Sequence, residues 1–191
     1  MVMKNGKLSA IALGLMLMLC ALHAQAAGVV STCDEPSLKT ALLGGGAVTF
    51  TCSGRILLTS AITISTNTII DGSGQNIIIE SPFQVIGVNV GIGLVLNHLY
   101  IAGGSATAGG AIYSSGNLKV TDTTFWANTA KSAGGAIVNN YFGLFTNCTF
   151  LGNTAQWGGA IINTGKMTVT GSTFVANNAA VGAASSICSD A

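Results

Sequence analysis

Few side chains in this sequence are able to do chemistry. Beyond residue 26, where the argument below ends an N-terminal leader, the carboxylates are Asp34, Glu35, Asp71, Glu80, Asp122 and Asp190, and His98 is the only histidine. Cleaving a polysaccharide by acid and base, or with calcium, needs carboxylates that converge on one groove. Asp34 and Glu35 fall at a helix start, Asp71 in an Asp-Gly-Ser-Gly turn and Asp190 in the tail. That leaves Glu80 and Asp122, 42 residues apart. One repeat period beyond Asp122 stands Asn147, and then Gly171, so no acidic partner recurs and both acids read as solvated turn residues. One histidine cannot supply a His-based metal set. No Ser, His and acid arrangement follows from spacing. The expectation is a protein that is not an enzyme, with no catalytic residue, metal or cofactor.

The elements that carry these residues follow from composition and period. The chain has 191 residues, with 49% hydrophobic and 7% charged residues and 26 glycines. Average domains carry about 25% charged residues, so the charge is low enough to exclude a basic nucleic-acid binder or a charge-rich disordered segment. Lys4 and Lys7, the apolar run Ile11 to Leu22 and the small residues Ala24-Gln25-Ala26 read as a secretory signal peptide over 1–26. The run is too short for a spanning helix, which needs roughly 18 apolar residues, so no transmembrane segment is expected in the exported chain. Export to the periplasm, cell surface or medium follows, with five basic residues against six acidic ones and no electrostatic steering of polyanions.

From residue 109 two motifs keep one period. Gly109-Gly110-Ala111-Ile112 recurs at Gly134 and Gly158, and Phe125-Trp126-Ala127-Asn128 recurs at Phe150 and Phe174, each at spacings of 25 and 24. The apolar groups between them come in short β-favouring pieces separated by Gly, Asn, Ser and Thr, with no helical stripe. This predicts an all-β fold, a right-handed parallel β-helix over 48–191 with roughly six coils of three short strands and three turns. Coils stacked at about 4.8 Å put equivalent residues in columns. Phe125, Phe150 and Phe174 are expected to stack inside the tube. Asn128, Asn153 and Asn177 are expected at one turn, tolerating unusual backbone angles and hydrogen-bonding along the stack. Thr121, Thr146 and Thr170 form a further column, as do Thr124, Thr149 and Thr173, and both read as strand-forming residues.

A solenoid's first coil would expose its apolar interior, and residues 27–47 read as its cap. Asp34 caps a short helix with Pro36 in its first turn, Leu38, Ala41 and Leu42 give it an apolar face, and Gly44-Gly45-Gly46 ends it. Cys33 before the helix and Cys52 in the first strand are placed to join cap to tube by a disulfide in an oxidising compartment. Cys148 reads as a small buried thiol and Cys188 as part of the tail.

The paired Gly-Gly-Ala-Ile and Phe-x-x-Asn repeats resemble those of polymorphic outer-membrane-protein-type sequences, which look like right-handed parallel β-helices of the pectin lyase-like fold. The segment Cys33 to Gly54, with its Thr-Phe-x-Cys-x-Gly end, resembles the N-terminal stretch of the same bacterial group. The likeness spans about residues 30–184. It implies an adhesin-like surface or envelope module, and no series of alternating membrane strands accompanies it here.

A second reading is a carbohydrate-binding or degenerate polysaccharide lyase-like protein, for which Trp126 and Trp157, if outward, are the candidate ligand-stacking residues. They lie 31 residues apart and out of register. A third is a self-assembling or truncated fragment of a longer surface protein, with end-to-end association through the C-terminal coil. The partners expected are therefore a glycan, a host or cell-surface protein, or a second copy, and not a nucleic acid.

Overall fold

In a computed structural model of the chain, residues 28–180 and 185–189 are described. The leader, residues 181–184 and Asp190 lie outside them. The described residues form a parallel β-solenoid of about seven turns with one short helix near the N-terminus. Its faces are a seven-stranded sheet, two six-stranded sheets and a four-stranded sheet, with every pair of neighbouring strands parallel.

The register shows why so few charges suffice. Ile62, Ile86, Ile112, Ile137, Ile161 and Ile187 are partners in one continuous column, and all but the last are buried. A second inward column runs Val48, Ile70, Leu96, Val120, Phe145 and Val169. β-branched side chains suit such columns, because their restricted rotamers fit a pleated surface whose neighbours are identical. Burying each contributes about 1.5–3 kcal/mol, so the tube supplies the apolar sink that the composition demands.

Two features differ from the expected coil. The level count is about seven rather than six, because the segment read as a cap supplies a strand of its own. Gly28–Val30 pairs with Gly46–Phe50, which itself starts inside the expected cap. The later coils also have four strands rather than three. Ser105–Ala108, Thr129–Ala133, Thr154–Ala155 and Asn178–Ala179 build the extra sheet. Its inward residues are small, such as Ala130 and Ala155, so they carry too little apolar signal to mark a strand.

The Gly pairs of the repeat meet two separate requirements. Gly109, Gly134 and Gly158 have φ of 61°, 60° and 55°, in the left-handed region. At Gly110, Gly135 and Gly159 the obstacle is the next coil, where an added Cβ would lie 2.4 Å or less from a backbone carbonyl oxygen.

The N-terminal end is closed by the helix Glu35–Ala41. Asp34 Oδ1 accepts from the Ser37 N–H at 2.8 Å, Pro36 sits in the first turn, and Leu38 and Ala41 face the interior. This N-cap bond holds the Asp34 carboxyl below its usual value.

Candidate functional site

The disulfide joins Cys33 to Cys52, tying the start of the helix to the first coil. Cys148 is a buried free thiol whose pKa is raised by desolvation. Cys188 is also free, and it sits in the strand Ile187–Ser189, paired with Ile162, rather than in a loose tail.

The phenylalanine column forms as expected: Phe125 and Phe150 stack with centroids 4.9 Å apart, and Phe150 and Phe174 at 4.7 Å. Asn128 and Asn153 are fully buried; Asn128 Oδ1 accepts from the Gly104 N–H, and the side-chain oxygens of Asn153 and Asn177 each accept from the asparagine one coil earlier. The Asn128 backbone N–H reaches Asn153 Oδ1 at 3.0 Å, and that of Asn153 reaches Asn177 Oδ1 at 3.0 Å. Their amide groups also donate to Ile101, Phe125 and Phe150 carbonyls. One part of the expectation is corrected. The left-handed backbone falls one residue earlier, at Ala127, Gly152 and Ala176, while the asparagines turn inward to satisfy buried donors that this bend exposes. A second pair, Asn139 and Asn163, makes the same kind of bond at 2.7 Å. The recurrence of Asn after Gly-Gly-Ala-Ile-x was the signal for it.

The groups with acid–base chemistry meet where spacing alone did not place them. Gly72, His98, Asp122 and Asn147 follow the seven-stranded sheet at equivalent turns, each N–H bonded to a carbonyl of the next level. His98, Asp122 and Asn147 have φ of 53°, 47° and 54°. His, Asp and Asn are the non-glycine residues that best tolerate this conformation, so the turn itself explains their presence. Ser73 Oγ donates to Asp71 Oδ1 at 2.6 Å and lies 2.9 Å from His98 Nδ1, and His98 Nε2 lies 3.4 Å from Asp122 Oδ2. The tautomer of His98 sets the direction of its contact with Ser73. The His98 and Asp122 side chains are 51% and 37% exposed, so water competes with each contact. The chemistry this arrangement supports is a polar stitch across three levels. The periods of 26 and 24 from Gly72 to His98 to Asp122 were its only trace in the sequence. Glu80, the other loose acid, is paired with Arg55.

The outer surface is more distinctive. Of seven Phe, three Tyr and two Trp, the exposed ones are Phe83, Tyr100, Tyr113, Trp126, Tyr141, Phe142 and Trp157, seven of the twelve. Trp126 is 52% exposed at the end of Thr124–Trp126, in a column with Ala102 and Leu151. Trp157 is 44% exposed and bridges Ala133, at the far end of the small fourth sheet. The strand Thr129–Ala133 lies between the two corners, so the tryptophans form no single platform. The aromatic pair that does sit together, in a cleft, is Tyr141 and Phe142, which sequence reasoning did not single out. No protein-family model matches the chain, and no match is found among curated proteins or solved structures.

Proposed function

We propose that this is an exported, non-catalytic β-solenoid acting as an adhesin-like interaction module at the bacterial surface or envelope, of the pectin lyase-like kind with polymorphic outer-membrane-protein-type repeats. The observation that carries the reading is the outward placement of all three tyrosines and both tryptophans on a chain with almost no charge. Tyr and Trp are enriched at contact surfaces, where they present large rigid areas at low entropic cost, and charged residues are depleted at the cores of such surfaces. The polar stitch of Ser73, His98, Asp71 and Asp122 supports a structural role for the titratable groups. Self-association through the last coil is the second reading, favoured by the partial burial of Met167, Val169, Phe174 and Ile187 there. Its signature is a solution mass that rises with concentration.

The test is retention of the purified, oxidised chain on arrays of surface glycans and surface proteins, beside a heat-unfolded control. Saturable binding by the folded chain alone is expected. Absence of any saturable ligand, or the appearance of new reducing ends when polysaccharides are incubated with the chain, would overturn the reading.

A further inference from the structure

We infer that the open strand edge of residues 61–66, at the capped end of the solenoid, is a docking site for an extended, uncharged segment of a partner protein, which adds one strand to the sheet of Ile62–Ile64. The inference rests on the proposed role as an interaction module and names the kind of partner that one part of its surface fits. Three sheets begin at this end, and the cap covers two of them. Gly28–Val30 lies against the helix, where a Cβ at Gly28 would stand 2.3 Å from the Ala41 carbonyl oxygen. Gly54–Leu57 lies under the helix start: Cys33 is bonded to Cys52 just before the strand, and Glu35 accepts the Thr59 N–H just after it. The third strand, Ile62–Ile64, ends the order of its six-stranded sheet and pairs only with Ile86–Val88.

A groove of about 350 Å³ runs along that edge, with residues 61–66 on one side and Leu42, Leu43 and Gly44 on the other. Two contacts bound it. At one end Lys39 Nζ donates to Ser60 Oγ at 2.8 Å, and at the other the Gly46 N–H donates to the Asn67 carbonyl at 2.9 Å. Residues 61–65 between them span roughly 13 Å at the rise of a strand, which is room for a peptide of about five residues. In a parallel ladder the N–H and C=O of successive residues point to opposite neighbours. The Ile62 N–H donates to the Val85 carbonyl at 2.9 Å and the Ile64 carbonyl accepts the Asn89 N–H at 3.1 Å, so these two residues serve the next coil. Thr63 therefore turns its N–H and carbonyl into the groove, beside the Ala61 carbonyl and the Ser65 N–H. None of the four has a partner among the described residues.

Donors and acceptors alternating at this spacing are matched by another extended backbone, which meets each N–H with a carbonyl and each carbonyl with an N–H. The side chains of the incoming strand are specified too. Ile62 and Ile64 point inward and are stacked on one side by their register partners Ile86 and Val88. Branched apolar residues at alternate positions of the new strand would take the other side, next to the partly buried Leu42. Sheet edges are usually guarded by a charge, a proline, a bulge or a covering loop. The first edge of the four-stranded sheet is guarded in this way. Ser105–Ala108 has a register shift between Ala106 and Ala108, and Gln84 Nε2 donates to the Ala108 and Gly109 carbonyls at 3.1 and 3.0 Å. Residues 61–66 read Ala-Ile-Thr-Ile-Ser-Thr, with no charge and no proline, and their pairing runs without a shift. One edge is closed by its own chain, and the other keeps its backbone groups available for a strand.

The experiment is an amide NMR titration of the purified, oxidised chain with the acetylated and amidated peptide Ser-Ala-Ile-Thr-Ile-Ser-Thr, a copy of residues 60–66. Strands of this sheet pair with like strands in register, so the copy presents matching isoleucines and a matching edge. In that register its two isoleucine N–H groups donate to the Ala61 and Thr63 carbonyls, and its two isoleucine carbonyls accept from Thr63 and Ser65. Saturable shifts at Thr63 and Ser65 are expected, with slowed amide exchange at both. The same peptide N-methylated at both isoleucines should bind at least about tenfold more weakly, and Thr63→Pro should abolish binding. The methylated peptide leaves the protein untouched, so it remains informative if Thr63→Pro does not fold. Absence of saturable shifts, equal binding of the methylated peptide, binding that survives Thr63→Pro, or Thr63 and Ser65 amides already protected from exchange in the free chain would overturn the site. If array binding persists under those outcomes, the interaction-module reading stands and only this site falls.

Discussion

The two ends of the solenoid are built from the same interior columns and finished differently. At the N-terminal end Val48 and Ile56 are fully buried, and the helix Glu35–Ala41 lies over the first coil with Leu38 at 0% exposure. Three further devices hold that helix: the Cys33–Cys52 disulfide, the Asp34 cap, and Glu35, which pairs with Lys39 at 2.6 Å and accepts the Thr59 N–H at 2.9 Å. At the other end, the equivalent inward residues of the last described coil, Met167, Val169 and Phe174, are only partly buried. Phe174 stacks on Phe150 on one side, whereas Phe150 has a ring on both sides and Phe145 at its edge. The comparison teaches that burial in a solenoid comes from neighbours along the axis as much as from position within the coil.

The sharpest way to break that comparison is to delete the same ring at two levels. Phe150→Ala removes a fully buried side chain flanked above and below, and is expected to cost about 3–5 kcal/mol in denaturant unfolding. Phe174→Ala removes a ring with one stacked partner and should cost less than half as much. Equal losses would mean that the last coil is as well covered as the middle, and the contrast between the ends would disappear.

The next largest effect belongs to the cap. The disulfide closes a sequence separation of 19, and replacing both cysteines by alanine is expected to cost about 3 kcal/mol, in the range usual for such loops. Because the bond joins the helix start to the first coil, hydrogen exchange should accelerate at Leu38 and Val48 while Phe145 and Phe150 stay protected. Uniform acceleration along the rod would show instead that the ends are not separable units.

How far the sequence exposed this structure depends on which residues the stack constrains. The Phe and Gly-Gly positions were legible because the interior and the corner each admit very few residue types, so their period survives from coil to coil. The inward turn of Asn128 and Asn153 was half legible: the period marked the column, but Ala127 and Ala176 gave no hint that they carry the left-handed backbone. The fourth sheet was hidden by small residues such as Ala130. The meeting of Ser73, His98 and Asp122 was hidden because that turn requires only a backbone conformation, which different residues satisfy at each level. Tyr141 was invisible for the opposite reason. Its stack neighbours are glycines, so no column of like residues advertised an aromatic corner.

The smallest expected effect is a pH dependence confined to one end. The Lys39 side-chain bond, together with the Thr59 bonds, lowers the Glu35 pKa from 4.5 to about 2. A carboxylate whose folded-state pKa is depressed contributes stability that is fully present above its unfolded value and is lost as pH falls through the folded one. The helix should therefore hold at pH 6, begin to loosen below about 4.5 and lose this contribution near pH 2. Amide exchange read at Leu38 and at Thr59, whose N–H meets the Glu35 carboxylate, should accelerate across that window in the wild-type chain. Glu35→Gln should flatten most of the change, leaving the smaller part that belongs to the lowered Asp34 carboxyl. The last coil carries no such group among the described residues: Lys166–Thr170 and Thr173–Val175 contain no carboxylate at all. Protection at Phe174 should accordingly be unchanged by acid over the same range. If the two ends loosen together, or if Glu35→Gln keeps the wild-type acid profile, the cap is not what distinguishes them, and the difference must lie in the packing of the columns themselves.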